Sequence, residues 1–149
     1  MKYKISTIGK MKNNDEELIT RRYLNRIKNI ELKHYEIKTK NKKQKIDEEA
    51  DKLINSTPKN GKLILLDEEG ENISSSDLAE LILNWENNSI TSVNFAIGGA
   101  FGNGIKIKKS ADKIIAFGKL TWPHQMVKMM VAEQIYRIET IIQGHPYHK

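Results

Sequence analysis

The hydrophobic pattern of the chain alternates between short apolar runs and longer amphipathic stretches. Runs with strand spacing and β-branched residues are predicted strands, and they cover 2–8, 31–37, 62–66, 93–97 and 113–116. The run at 62–66 is apolar at almost every position, which is typical of a strand that helices cover on both faces.

Helical periodicity occupies most of the chain between these runs. Predicted helices are Asp15–Ile27, Ile46–Ser56, a segment behind a capping box at Ser74–Asp77, a short segment after Gly104, and one from Pro123 to about Ile142. The lysine-rich segment Lys38–Lys45 is predicted to be a loop, and Asp67–Gly70 a turn. Strands that alternate with helices predict a single-domain α/β fold over residues 1–149, with a mostly parallel sheet and helices on both faces.

The last predicted helix is apolar on more than one side. Val127, Val131, Ile135 and Ile138 form one face, and Met126 adds apolar surface elsewhere. Such a helix needs more than one burial partner. A second subunit would supply one, and deep burial within a single chain is the other explanation.

Glycines concentrate around the fourth and fifth predicted strands. Five of the nine glycines lie there, namely Gly98, Gly99, Gly102, Gly104 and Gly118. Parallel sheets bind ligands at the carboxyl ends of their strands. The loops after Leu66, Ile97 and Ala116 are therefore expected to hold one ligand, although tight turns alone would also use glycine.

Charge is unevenly distributed along the chain. Residues 1–60 carry 16 Lys and Arg against 9 Asp and Glu, whereas residues 61–149 carry 9 against 10. A basic excess in one half favours a polyanionic partner such as RNA. There is no cysteine, and no apolar run approaches the roughly 18 residues of a membrane span, so a cytoplasmic location is expected.

Several kinds of chemistry find no support in the sequence. The four histidines lack metal-ligand spacing, so no metal site is expected, and there is no GxSxG elbow. The turn at 98–104 follows a strand and precedes a helix, yet it matches neither GxGxxG nor a Walker loop. The terminal segment 143–149 carries three rings, which suits a segment that folds over a site better than a frayed tail.

Five motifs in order resemble one known family. They are Leu65-Leu66-Asp67, Ile97-Gly98-Gly99-Ala100-Phe101-Gly102, Lys119-Leu120-Thr121-Trp122-Pro123-His124-Gln125, Val131-Ala132-Glu133-Gln134-Ile135-Tyr136-Arg137 and Pro146-Tyr147-His148-Lys149. The chain resembles the ribosomal RNA large-subunit methyltransferase H family, the 23S rRNA (pseudouridine1915-N3)-methyltransferases of the SPOUT superfamily. The resemblance implies a C-terminal trefoil knot, a homodimer, S-adenosyl-L-methionine as cofactor and 23S rRNA in the ribosome as partner.

The resemblance also implies which residues bind and react. Positions carried over to the cofactor are Leu66, Gly98, Gly99, Gly118, Lys119, Leu120, Thr121, Trp122 and Pro123, with Gly118 standing where the family usually has serine. Methyl transfer to N3 of pseudouridine needs a base near the acceptor. His148 and Glu133 are the candidates, with Tyr147 stacking on the acceptor and Arg137 pairing with Glu133 or holding a phosphate.

The same reasoning names an RNA-contacting surface and two alternatives. Candidates for backbone contact are the N-terminal cations Lys10, Lys12, Arg21, Arg22 and Arg26. A non-enzymatic RNA-binding α/β protein would use the glycine loops only as turns. A dinucleotide-dependent enzyme would bind NAD in place of S-adenosylmethionine.

Overall fold

The computed structural model describes residues 1–148, and Lys149, the last residue of the tail motif, lies outside them. One five-stranded sheet has the order β2-β1-β4-β3-β5. Its strands are β1 (Lys2–Ile8), β2 (Ile30–Tyr35), β3 (Gly61–Glu71), β4 (Ser92–Ile97) and β5 (Lys113–Ile115). The helices are α1 (Asp15–Leu24), α2 (Lys42–Asn55), α3 (Ser75–Asn87), α4 (Ile105–Ser110) and α5 (His124–Ile142).

The predicted α/β architecture is confirmed, and every strand pair is parallel. Two apolar cores lie on opposite faces of the sheet. The larger core joins the sheet to α1, α3 and α5, whereas the smaller joins it to α2 and α4. Central β4 is buried along its whole length, as a strand covered on both faces must be.

Two predicted connections are wrong at their boundaries. The predicted turn at Asp67–Gly70 belongs to β3, which runs to Glu71 with an irregularity in its pairing to β5. The Glu71 carbonyl accepts the Ala116 amide at 3.0 Å, and a Cβ on Gly70 would lie 2.5 Å from the Ile115 backbone. Close approach of β5 therefore keeps this glycine-containing segment extended.

The predicted loop Lys38–Lys45 is also partly wrong, because α2 begins inside it at Lys42. Asn41 caps the helix, its side-chain oxygen accepting the Gln44 amide at 3.0 Å. The lysines of the first turn project from a helix and not from an irregular loop. By contrast, the Ser74 cap on α3 is confirmed, since its hydroxyl accepts the Asp77 amide at 3.1 Å.

Helix α5 is wedged between α1 and α3 and also contacts β1 and β4. None of its residues from His124 to Ile142 is exposed. Burial within one chain is therefore enough to explain its apolar pattern, and the homodimer and the trefoil knot stay predictions. Within residues 1–148, no helix combines the length and the hydropathy that crossing a bilayer requires.

Candidate functional site

A cavity of about 570 Å³ lies at the carboxyl edge of the sheet, where the loops after β3, β4 and β5 meet. We call it the loop cavity. Seven of the nine predicted cofactor residues line it, namely Leu66, Gly98, Gly99, Gly118, Leu120, Thr121 and Trp122. The other two do not line the cavity: Lys119 is exposed to solvent, and Pro123 is the N-cap residue of α5. The volume falls within the roughly 300–1,000 Å³ range of small-molecule sites.

The glycines of this site are needed for two different physical reasons. A Cβ on Gly98 would overlap the Asn103 side chain, and one on Gly99 would lie 2.7 Å from a carboxylate oxygen of Glu49. Gly102 and Gly118 instead adopt φ of +78° and +88°, which glycine tolerates best. Packing against the protein and backbone conformation thus account for all four without a ligand, and the case for a ligand rests on the cavity.

Asn103 ties the turn after β4 to the end of β3. Its amide group donates to the Leu66 carbonyl at 3.0 Å and to the Asp67 carboxylate at 2.9 Å. Burial raises the pKa of the Asp67 carboxyl, but hydrogen bonds from Asn103 and the Glu69 amide, together with Lys108, hold it below its usual value. The carboxylate is therefore ionised and fixed at the cavity wall.

The loop after β5 is held by three hydrogen bonds, two to neighbouring segments and one within the loop. The Gly118 amide donates to the Asn72 side chain at 3.0 Å, and the Thr121 hydroxyl donates to Glu68 at 2.7 Å. The Trp122 indole donates to the Phe117 carbonyl at 2.8 Å, which closes the loop on itself. These hydrogen bonds give the loop a defined shape.

Two titratable side chains flank the turn after β4. Nε2 of His124 lies 2.9 Å from the Gly98 carbonyl oxygen and 3.3 Å from the Thr7 hydroxyl. Glu49 is buried on the α2 side of the turn, and its burial raises the pKa of the carboxyl. The turn thus lies between a histidine that contacts its backbone and a buried carboxyl group beside Gly99.

The four residues predicted for catalysis lie together, Glu133 and Arg137 on α5 and Tyr147 and His148 on the tail that follows it, and we call them the tail cluster. Arg137 Nε donates to a Glu133 oxygen at 3.0 Å, and the Tyr147 hydroxyl donates to the same oxygen at 3.1 Å. His148 Nδ1 is 3.3 Å from Arg137, whose guanidinium lies 4.9 Å from the centre of the Tyr147 ring. The predicted Glu133–Arg137 pair is therefore present.

The tail folds back on its own helix and does not close over the loop cavity. Gly144 has φ of +66°, and the His145 amide returns to the Thr140 carbonyl at 2.8 Å. Tyr147 then packs edge-on against Tyr136 at 4.8 Å between ring centres. None of the tail cluster lines the loop cavity of the described chain.

A smaller cavity of about 210 Å³ lies between the two sites. It shares Ile115 to Gly118 with the loop cavity and reaches Gln134, the neighbour of Glu133 on α5. Gln134 donates to Glu133 at 2.7 Å and accepts from Ser75 at 2.6 Å. The loop after β5 therefore lines both the loop cavity and the smaller cavity beside α5.

Comparison with known proteins agrees with this geometry. A family model described as "Predicted SPOUT methyltransferase" matches residues 1–148. The chain belongs to the SPOUT methyltransferase family. A protein named Ribosomal RNA large subunit methyltransferase H from Nitrobacter hamburgensis is 38% identical over 159 residues, covering all of this chain and 99% of the relative. Proteins of the same name from Paramagnetospirillum magneticum and Bartonella tribocorum are each 36% identical over all of this chain and 99% of their own length.

Membership of the SPOUT methyltransferase family confirms the predicted resemblance and makes the chain a methyltransferase. It therefore favours the enzyme over the non-enzymatic RNA-binding protein, and a methyl donor over NAD. Among the described residues, no three metal-ligating side chains come together.

Sequence reasoning missed the side chains that hold the backbone of the loop cavity. Asn103, His124 and Glu49 contact it from outside the predicted cofactor positions. His124 lies in the motif from Lys119 to Gln125, but no role is predicted for it from the sequence, where it lacks metal-ligand spacing. A histidine directly after a strand-end loop and at the start of a helix was the available signal, because it sits where α5 meets the cavity.

Proposed function

We propose that this protein is an S-adenosylmethionine-dependent methyltransferase that methylates N3 of pseudouridine 1915 in 23S ribosomal RNA. The observation that carries the proposal is the loop cavity, formed by three strand-end loops in a chain of the SPOUT methyltransferase family. Full-length similarity to proteins named Ribosomal RNA large subunit methyltransferase H supports the choice of RNA. The basic N-terminal half fits the same partner.

The loop cavity suits S-adenosylmethionine in its shape and polarity. Its walls combine apolar side chains such as Leu66, Ile97 and Phe117 with the exposed backbone of the glycine turns. Apolar walls accept the adenine and the methylene groups, and backbone groups recognise the polar ends. Leu66, Gly99 and the loop from Gly118 to Trp122 would hold the cofactor, which supplies an electrophilic methyl carbon on a sulfonium.

The protein's own part is to orient the acceptor and remove its N3 proton. Glu133 already accepts hydrogen bonds from Arg137, Tyr147 and Gln134, so its carboxylate is fully engaged. His148 has one nitrogen near Arg137 and the other 3.4 Å from the Ser76 hydroxyl, both at the surface. Because His148 is exposed, a nucleotide can displace one of these surface contacts and reach a ring nitrogen, and we assign the base to His148 and a positioning role to Glu133 and Arg137.

A homodimer would bring the two regions together. Large apolar side chains stand exposed around the loop cavity, including Phe101, Ile105, Leu120 and Trp122. Such a patch marks an interaction surface. If this surface pairs with the tail side of a second copy, the tail cluster of one protomer would lie near the loop cavity of its partner, and each active site would use both copies. The ribosome, in the cytoplasm, would supply the remaining RNA contacts.

The test is methyl transfer to ribosomes that lack this modification. Purified protein and cofactor carrying a labelled methyl group are incubated with those ribosomes and, as a control, with ribosomes that already carry the methyl group. Label should enter only the unmodified 23S rRNA and map to N3 of pseudouridine 1915. Label at another nucleotide or in protein would overturn the proposed substrate, and absence of cofactor binding by calorimetry would overturn the proposed reaction.

The shared active site has its own test. Protomers carrying Gly99→Val and protomers carrying His148→Ala are each expected to be inactive as homodimers. A mixture that exchanges subunits should recover activity, because one of its two sites combines an intact loop cavity with an intact tail cluster. No recovery despite proven exchange would place both regions in the same protomer.

A further inference from the structure

His124 occupies a position that the proposed chemistry leaves unused. Its Nε2 lies 2.9 Å from the Gly98 carbonyl oxygen, and its ring borders the loop cavity at the first residue of α5. The contact spans 26 residues of sequence, so it joins the turn after β4 to the last helix. It is the kind of contact that sets the orientation of a flexible turn.

The hydrogen-bond partner fixes the tautomer of this ring. A carbonyl oxygen only accepts hydrogen bonds, so the contact with Gly98 requires a hydrogen on Nε2. Burial lowers the pKa of His124, the Gly98 contact opposes this, and the charges of Lys128 and Lys12 lower it further. At pH 7 the ring is therefore neutral, with its proton on Nε2 and its lone pair on Nδ1.

The charged groups behind the ring reinforce the neutral form. Lys128, one turn along α5, is fully buried and paired with Glu17 of α1. His34 of β2 lies 3.4 Å from Lys128, and the pKa of that histidine is also lowered, by burial and by the lysine charge. A proton added to His124 would bring a second positive charge toward Lys128.

Planarity of the peptide transmits the contact to the cavity. The Gly98 carbonyl and the Gly99 N–H belong to one trans peptide, so they point in opposite directions. Within residues 1–148 that N–H donates no hydrogen bond to the protein, and Gly99 lines the loop cavity. Because glycines stand on both sides of this peptide, no side chain of its own limits its rotation.

We propose that His124 is a positioning residue for the methyl donor. Its Nε2–H holds the Gly98–Gly99 peptide in the orientation that presents the Gly99 N–H to an acceptor atom of the ligand. The inference rests on the proposed function, because it requires the donor to bind in the loop cavity. It goes beyond that function because it states that the hydrogen bond from His124 to Gly98, which lies within the protein, controls the affinity for the cofactor.

Two substitutions separate the hydrogen bond from the packing. His124→Gln keeps an N–H donor of similar reach, whereas His124→Leu keeps much of the volume without a donor. By calorimetry with S-adenosylmethionine, His124→Leu should weaken binding roughly tenfold, the factor for one lost hydrogen bond, and His124→Gln should stay within about threefold. Thr7→Val, which removes the 3.3 Å contact and keeps the shape, is the matched control and should bind like the parent.

A second measurement needs no cofactor. In the free parent protein, ¹⁵N-edited NMR of the His124 ring should show the Nε2–H tautomer from pH 8 down to pH 6.5. Finding the Nδ1–H tautomer would overturn the inference by itself. Equal affinity of His124→Leu and parent would also overturn it, provided that circular dichroism shows both folded. If the parent failed to bind S-adenosylmethionine at all, the proposed function would be at fault, and the tautomer would still decide whether His124 holds the turn.

Discussion

The loop cavity and the tail cluster lie on one protomer but are built from different atoms. The loop cavity combines the backbone of its glycine turns with apolar side chains such as Leu66, and polar groups of Asn103 and Trp122 hold that backbone in shape. The tail cluster presents side chains of α5 and of the tail, which pair with one another across a few ångströms. Changes of side chain should therefore damage the two regions differently: through backbone geometry in the first, and through lost functional groups in the second.

The largest effect is expected from Gly99→Val, which should abolish S-adenosylmethionine binding while leaving the proposed dimer intact. A Cβ there would meet both carboxylate oxygens of the buried Glu49, at 2.7 and 2.8 Å, so either that side chain or the turn must move. Calorimetry should show a loss of at least about a hundredfold, and light scattering an unchanged mass.

The matched double variant shows why Gly99 is a glycine. Glu49→Ala removes the oxygens that the new side chain would meet, so Gly99→Val with Glu49→Ala should recover part of the affinity. Recovery would mean that packing against α2 requires the glycine. A double variant as weak as Gly99→Val would mean that the ligand itself needs the space.

The tail cluster should respond in rate and not in cofactor affinity. His148→Ala should lower turnover on ribosomes by about a hundredfold or more, the usual contribution of a general base. Tyr147→Phe removes the 3.1 Å hydrogen bond to Glu133 but keeps the ring against Tyr136, so a smaller loss is expected. Removal of 147–149 with no change in turnover would eliminate the catalytic role of the tail.

The sequence was sufficient where the determining contacts are local. Apolar runs and helical periodicity predicted five strands and five helices, and the strand-end rule predicted the loops that form the loop cavity. The start of α2 has a local signal, since Asn41 is a favourable N-cap residue. The prediction missed it because the lysine-rich composition of this segment is typical of a loop. That error came from weighing composition above capping.

Other features depend on contacts between distant parts of the chain. The extension of β3 through Asp67–Gly70 requires β5 alongside, and Asn103 reaches Leu66 across 37 residues of sequence. The fold-back of the tail depends on Tyr136 and Glu133 being correctly spaced on a formed helix. Periodicity and spacing describe one element at a time, so they could not predict how these elements meet.

A third, smaller effect would test whether RNA approaches the tail side. The Arg26 guanidinium lies 5.8 Å from the centre of the Tyr23 ring and 5.5 Å from that of Tyr136, beside the tail cluster. Arg26→Gln should raise KM for ribosomes severalfold and reduce the slope of log KM against log salt by about one, as expected for one phosphate contact. Lys59→Gln, an exposed cation in the loop after α2, is the control and should change neither. An unchanged salt slope for Arg26→Gln would move the RNA contact elsewhere.

The smallest effect is expected when the pH is lowered, which should change the stability of the fold but not the shape of the loop cavity. The pKa of His124 is lowered in the folded protein, so below about pH 6.5 the unfolded chain binds more protons than the folded protein does. The free energy of unfolding therefore decreases as the pH is lowered. Protonated histidine still donates from Nε2, so the Gly98 contact survives and only repulsion from Lys128 and Lys12 is added. Thermal unfolding at pH 7.5 and 5.5 should therefore show a loss of stability that is smaller in His124→Gln, while S-adenosylmethionine affinity stays nearly constant in the folded parent. A parallel loss of affinity would mean that the charge on this ring acts directly on a ligand in the loop cavity. Side-chain charge, and not only backbone geometry, would then determine binding there, as it does in the tail cluster.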